Sequence, residues 1–232
     1  KVIVQNINVV GYNYYGIIYV PEASAYSNVV VTLSNLTYVG PQISFHPNGL
    51  TEFINCNITI QENYAAGNEV AECNKIAIGG VTTINHKSTA NTGFWFRNTN
   101  PSLTILEGAN VNFTSTSREL IYGVTNLALT IEKNAIFNVT TANGMGYGTN
   151  GTGLTNIEKD ATFIIKKTTY SGAYATWYSY GKIDIYDNAT LEIINDYTSL
   201  TTSNYNITFP NSSGGLNITN PKKILLYNKV AN

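Results

Sequence analysis

The sequence predicts an all-β chain wound into a parallel β-solenoid of about eight coils of roughly 26 residues, and three observations carry that prediction. The first is composition. The 232 residues include 32 Asn, 29 Thr and 17 Tyr. Thr, Val, Ile and Tyr suit a pleated, half-buried surface. Asn suits turns and tolerates left-handed backbone. The second is an internal repeat, which is sought before any motif. Four segments superpose without gaps: 103–113 (LTILEGANVNF), 129–139 (LTIEKNAIFNV), 155–165 (TNIEKDATFII) and 183–193 (IDIYDNATLEI). Their anchors Ile105, Ile131, Ile157 and Ile185 are spaced by 26, 26 and 28 residues. The third is the pattern inside each copy. Apolar residues fall two apart, which is strand periodicity, in pairs such as Leu129/Ile131 and Phe137/Val139.

The elements follow in chain order. Residues 1–28 are rich in Tyr and Val and are expected to form an opening coil or a cap over the first rung. Asn48-Gly49 and Asn143-Gly144 read as loops between repeats. Residues 61–75 are the most helix-compatible stretch and are expected to interrupt the early coils. Ile78 begins a looser copy of the repeat, and Phe209 is expected to anchor another. Within each clear copy, Gly108, Asn134, Asp160 or Asn188 stands three residues after the anchor. These residue types accept a positive φ. An Ala follows each of them, so the unit reads as strand, left-handed corner with a small inward residue, then strand. Residues 220–232 supply a terminal strand. A unit this short cannot bury its apolar face alone, and stacking successive units does so. The whole of 1–232 is thus one domain. It begins at Lys1 without an initiator Met or signal peptide, so we expect a fragment excised from a longer chain.

Charge excludes several function classes. Charged residues make up 12% of the chain and the net charge is −1, which leaves no basic face for nucleic acid and no polybasic segment for a membrane surface. No apolar run reaches the roughly 18 residues of a spanning helix. Cys56 shares the alternation of Ile54, Ile58 and Ile60 and is expected to point inward, and a Cys56–Cys73 disulfide is left open. Neither cysteine has metal-ligand spacing, and no cofactor motif is present: the Gly-rich stretch 141–153 lacks a following helix and a Lys-Ser/Thr.

Taken together, NEVAECNKIAIGGVTTINHKST, GFWFRN, PSLTILEGANVNFTS, LTIEKNAIFNVTTANG and NPKKILLYN, in this order and spacing, resemble the pectate-lyase-like adhesive domain of cell-wall-anchored surface proteins in Gram-positive bacteria. The resemblance covers about 29–228. It implies a right-handed parallel β-helix, an extracellular place on the bacterial cell surface, and attachment to host-cell surface glycans, matrix proteins or polysaccharide, with self-association as a further partner reading.

The alternatives to an adhesin are a structural or self-associating stalk domain and a polysaccharide lyase or hydrolase on the same scaffold. β-Elimination needs carboxylates around Ca²⁺ and a strong base. Only Arg97 and Arg118 are present as Arg. The acids Glu107, Glu132, Glu158 and Asp187 recur beside Lys133 and Lys159, which reads as a solvated mixed-charge strip. His46 and His86 have no ligand spacing, and His86 reads as a packed or rim residue. No catalytic or metal constellation is singled out, and the chain is expected not to be an enzyme. The candidate ligand contacts are aromatic: Trp95 with Arg97, then Tyr147, and the cluster Tyr170, Tyr174, Trp177, Tyr178 and Tyr180. Amphipathic rings offer sugars an apolar face and a polar edge, and Arg97 can pair with an acidic group. Counting back from the anchors places Phe96, Tyr122, Tyr147 and Tyr178 on one side of the rod. Strand alternation sends Phe94 and Phe96 inward and Trp95 outward.

Overall fold

The computed structural model describes residues 1–12, 16–61, 69–98, 100–122, 126–147, 153–169, 175–179, 181–197, 205–210 and 212–229, with the side chains of Tyr122 and Tyr147 outside that description. Each period of the sequence lays down three strands that pair in parallel with the same three strands of the next period, and successive turns lie about 26 residues apart. The chain is a β-solenoid. Its first face runs through Ser102–Ile105, Ala128–Ile131, Leu154–Ile157 and Lys182–Ile185. Its second runs through Asn110–Ser115, Ile136–Thr141, Thr162–Lys167 and Thr190–Asn195. The third is made of shorter strands, among them Phe94–Phe96, Ile121–Tyr122, Gly146–Tyr147 and Trp177–Tyr178.

Register follows the repeat. Ile78, Ile105, Ile131, Ile157, Ile185 and Ile218 are partners on successive strands, and all but the last are buried. The early coils are continuous with this ladder, with Leu33 opposite Phe53 and Phe53 opposite Ile78. The final anchor is therefore Ile218 and not Phe209. The connection after Asn195 is longer than in earlier turns, which shifts the last copy along the sequence. Val2–Val10 pairs with Val30–Gly40 as the first rung.

The corner between the first and second faces is what the Asn and Gly spacing encodes. Asn6, Asn35, Asn55, Asn134, Asp160, Asn188 and Asn220 all have φ between 41° and 62°. Gly80 and Gly108 do the same at 59° and 66°. A left-handed residue reverses the local direction of the backbone without spending length, so the chain leaves one face and enters the next. The small residue after it is buried at Cys56, Ala109, Ala135, Ala161 and Ala189. In the early coils the inward residue is larger, since Leu36 after Asn35 is also buried. Corner amides bond from turn to turn: the Gly108 and Asn134 N–H groups donate to the carbonyls of Lys133 and Lys159.

Two expectations need correction. The stretch 61–75 does not begin a helix where it is described, because Ala71–Gly79 is a strand paired with its neighbours on both sides. Burial of the alternating pairs Ala71/Cys73 and Ile76/Ile78 in the core outweighs helix propensity, which is a weak local preference. Asn48-Gly49 lies within the strand Ser44–Ile54 and not in a loop. There the register shifts between His46 and Leu50, and the extra residues carry the strand from the third face to the first.

The inward column at the end of the second face is polar. His86, Ser115, Thr141, Lys167 and Asn195 are successive partners, and all are buried. His86 Nδ1 lies 3.2 Å from Ser115 Oγ, and its ring stacks on Phe113. Asn195 accepts from Thr176 and donates to Asn228 Oδ1 at 2.6 Å. Burial pushes the Lys167 amine below its ordinary range, and its Nζ sits 5.8 Å from the centre of the Tyr197 ring.

Candidate functional site

Strand alternation on the third face sends one set of residues into the core and the other to the opposite side of the strands, where Tyr19 is exposed and Trp95 half-buried while Phe45 and Glu72 are covered. Ile18, Ser44, His46, Ala71, Cys73, Phe94 and Phe96 are buried. The intervening positions are Tyr19, Phe45, Glu72, Trp95 and Tyr122, partners on five successive strands. Backbone bonds from Leu120 and Ile121 to Gly144 and Met145 continue the series, and Tyr147 is opposite Tyr178. The described aromatic side chains of this series are Tyr19, Phe45, Trp95 and Tyr178, a short aromatic ladder interrupted by Glu72 between Phe45 and Trp95. Its register is one residue from that expected, since Tyr122 is opposite Trp95 and not Phe96. Trp95 and Phe96 point to opposite sides of their strand.

The best defined part is at the early coils. Tyr19 and Phe45 stack with centroids 5.2 Å apart and planes 15° from parallel. The Arg97 guanidinium lies 5.7 Å from the centre of Phe45 and 5.1 Å from that of Trp95, within the range of cation–π attraction. It is also paired with the Glu72 carboxylate and, at 3.3 Å from Nη1, with that of Glu22. Glu72, nearly buried, occupies the rung between Phe45 and Trp95. Arg97 is thus a clamp over two rings, neutralised by acids of the same chain. Its acid partners in the structure are Glu72 and Glu22 of the same chain, not groups of a ligand. Beside it a cleft of about 230 Å³ is lined by Glu22, Pro47, Asn48, Arg97 and Asn98. Asn98 Nδ2 donates to Pro47 O at 2.7 Å and to Asn48 Oδ1 at 2.6 Å.

Exposure divides the candidate residues. Tyr19 is 55% exposed, and Trp95 and Tyr178 are half-buried. Trp177 is 5% exposed and meets the Phe163 ring edge-on at 5.6 Å, so it fills the core and offers no free face to a ligand. The rest of that cluster, Tyr170, Tyr174 and Tyr180, lies outside the described residues, as does the Tyr147 side chain. Tyr19, Phe45, Glu22 and Glu72 were not found from the sequence. Their signal was parity against Ile18, His46 and Cys73, hidden because the early coils do not superpose on the clear repeats.

The recurring acids bind the corners together. The Glu107 N–H donates to Glu132 Oε2 at 2.8 Å, and the Lys133 N–H to Glu158 Oε2 at 3.1 Å. Among the described residues, no group of three or more His, Cys, Asp or Glu side chains is placed to hold a metal ion. Among the described residues, no helix is long and apolar enough to cross a membrane. Comparison with protein-family models, curated proteins and solved structures gives no match to this chain.

Proposed function

We propose that the chain is a non-catalytic binding module, an adhesive domain of an extracellular bacterial surface protein, and that it attaches to polysaccharide or surface glycans through the aromatic ladder of its third face. The observation that carries this reading is the pair of accessible rings Tyr19 and Trp95 on one face, held in place by the buried Phe45, which stacks on Tyr19, and by Arg97, which lies over Phe45 and Trp95. Rings held rigidly in this way present apolar faces to the C–H faces of sugars and need no ordering on binding. Each contact is weak, and repetition along a rigid rod and across a multivalent surface supplies avidity. The resemblance to adhesive domains of wall-anchored proteins points to the same place and role.

The test is a glycan and matrix-protein array probed with the native domain and with a Tyr19→Ala/Trp95→Ala variant. The proposal expects a glycan class retained by the native domain and lost by the variant at equal folded fraction. In parallel, bound polysaccharides are assayed for new reducing or unsaturated ends. Turnover there replaces the binding module with the enzyme alternative.

A further inference from the structure

A second surface differs in chemistry from the aromatic ladder. It lies on the outside of the second face in the early coils, where the corner is a single left-handed residue, Asn35 or Asn55. From Leu106 onward the corner becomes a four-residue turn closed by the Ala109 N–H on Leu106 O at 3.0 Å. Against the narrower section lies an open groove of about 580 Å³. Its polar lining is amide and hydroxyl only, and no charged residue contributes to it.

Thr37, Asn57 and Thr83 form its floor column, as partners on three successive strands. Their side chains make no hydrogen bond to other described residues. Farther along the rod the equivalent positions satisfy each other, with Asn138 Nδ2 donating to Asn112 Oδ1 at 3.0 Å. The groove walls are braced: Asn35 Nδ2 donates to Asn6 Oδ1 at 3.0 Å, and Asn55 Oδ1 accepts the Val81 N–H at 2.9 Å. Braced walls with a free floor make a preorganised set of donors and acceptors. Val81, 69% exposed, adds an apolar patch at the rim.

We propose that this groove is a second binding site, for an uncharged polysaccharide chain. Amides and hydroxyls can each donate and accept, as sugar hydroxyls do. A charged ligand would lose hydration and meet no opposite charge. A protein partner would be expected to meet an aromatic, Met or Arg anchor, and the lining has none. The assignment stands independently of the aromatic ladder, since the two surfaces lie on different faces.

Affinity electrophoresis of the native domain through gels carrying dextran, mannan, laminarin, polygalacturonate or heparin tests it. At least one neutral polymer should retard the native domain. The Asn57→Ala/Thr83→Ala variant should weaken that retardation about tenfold or more, with an unchanged melting temperature. Asn57→Asp, nearly the same size, should do likewise by placing a charge on the groove floor. Trp95→Ala should leave neutral retardation by the groove in place and reports the aromatic ladder separately. The proposal is overturned if none of the three neutral polymers retards the native domain. It is equally overturned if retardation survives both groove substitutions.

Discussion

Phe137 and Phe163 lie face to face one turn apart in the core, with ring centroids 5.3 Å apart and planes 4° from parallel. Phe163 stacks on Phe137 on one side and is opposite Leu191 on the other, and Trp177 closes on its edge. Phe163→Ala removes partners on both sides and leaves a void that a rigid ladder collapses poorly. We expect a loss of about 3–5 kcal/mol, read by urea denaturation. A cycle with Phe137→Ala should show about 0.5–1.5 kcal/mol of coupling between the rings. Independent, additive losses would mean that the stacking contributes nothing beyond burial.

The corner ladder separates backbone strain from packing. At Gly108, with φ of 66°, an added Cβ meets nothing within 4 Å. Gly108→Ala therefore costs only the left-handed backbone penalty, about 1–2 kcal/mol. Gly108→Asn should cost less, because Asn already holds this conformation at position 134. Asn134→Gly should be better tolerated than Asn134→Ala. Equal stability of the Ala and Asn variants at 108 would remove conformational preference as the reason for this residue pattern.

A buried imidazole sets a pH response. His46 is fully buried, and neither ring nitrogen has a hydrogen-bond partner. Gly49 leaves room for it, since a side chain there would collide with the ring. Burial holds its pKa below the ordinary 6.5, opposed by the backbone of Tyr26 and Leu50. The unfolded chain then takes up the proton first as pH falls. Stability from this group is fully present above pH 6.5 and is lost as pH falls from 6.5 through the lower folded value. Unfolding free energies measured from pH 7.5 to 5 should decline for the native chain, and the decline should be shallower in His46→Phe. Parallel profiles would show that His46 titrates alike in both states.

Much of this architecture was legible in the residues themselves. The period of Ile105, Ile131, Ile157 and Ile185 set the ladder, and Gly108, Asn134, Asp160 and Asn188 marked its corners, because stacked turns force the same residue type on equivalent positions. The early coils were harder to read. Their corners are single residues, so their spacing differs, and Tyr19 and Phe45 could not be aligned with Trp95. The buried polar column was also missed. Lys167 has the parity of Phe163 and Ile165, which was enough to place it inside, but a lysine at a strand end is ordinarily read as solvated. Pairing between Arg97 and Glu72 joins neighbouring turns across a stretch whose irregular register could not be deduced.

Cys56 and Cys73 are free and buried, which answers the disulfide question that the sequence leaves open. Burial raises both thiols, Cys73 to about 11 against the pull of hydrogen bonds involving Thr51 and Ser44. Thiolate is the reactive form, so both should resist a thiol reagent at pH 8 in the folded chain. Denaturation without reductant should expose two reactive thiols, counted by mass. One or none would indicate oxidation or another modification.

The two tryptophans divide packing from recognition. Trp177 contacts Phe163 in the core, so Trp177→Ala should cost about 3–5 kcal/mol, a fall in melting temperature of roughly 6–20 °C for a domain of this size. Trp95 faces outward under Arg97. Its loss removes a partly exposed cation–π contact of about 0.5–1 kcal/mol, together with some packing area. Trp95→Ala should therefore melt only a few degrees below the native chain while losing most binding to the glycan found on the array. The reason for the asymmetry is alternation: adjacent residues of a strand face opposite sides, and on the third face Trp95 points outward between the buried Phe94 and Phe96 while Trp177 points into the core. Calorimetric melting curves and array binding of the two variants decide the matter together. If Trp95→Ala melts as low as Trp177→Ala, the outer rings serve packing, and the aromatic ladder is no longer the attachment surface.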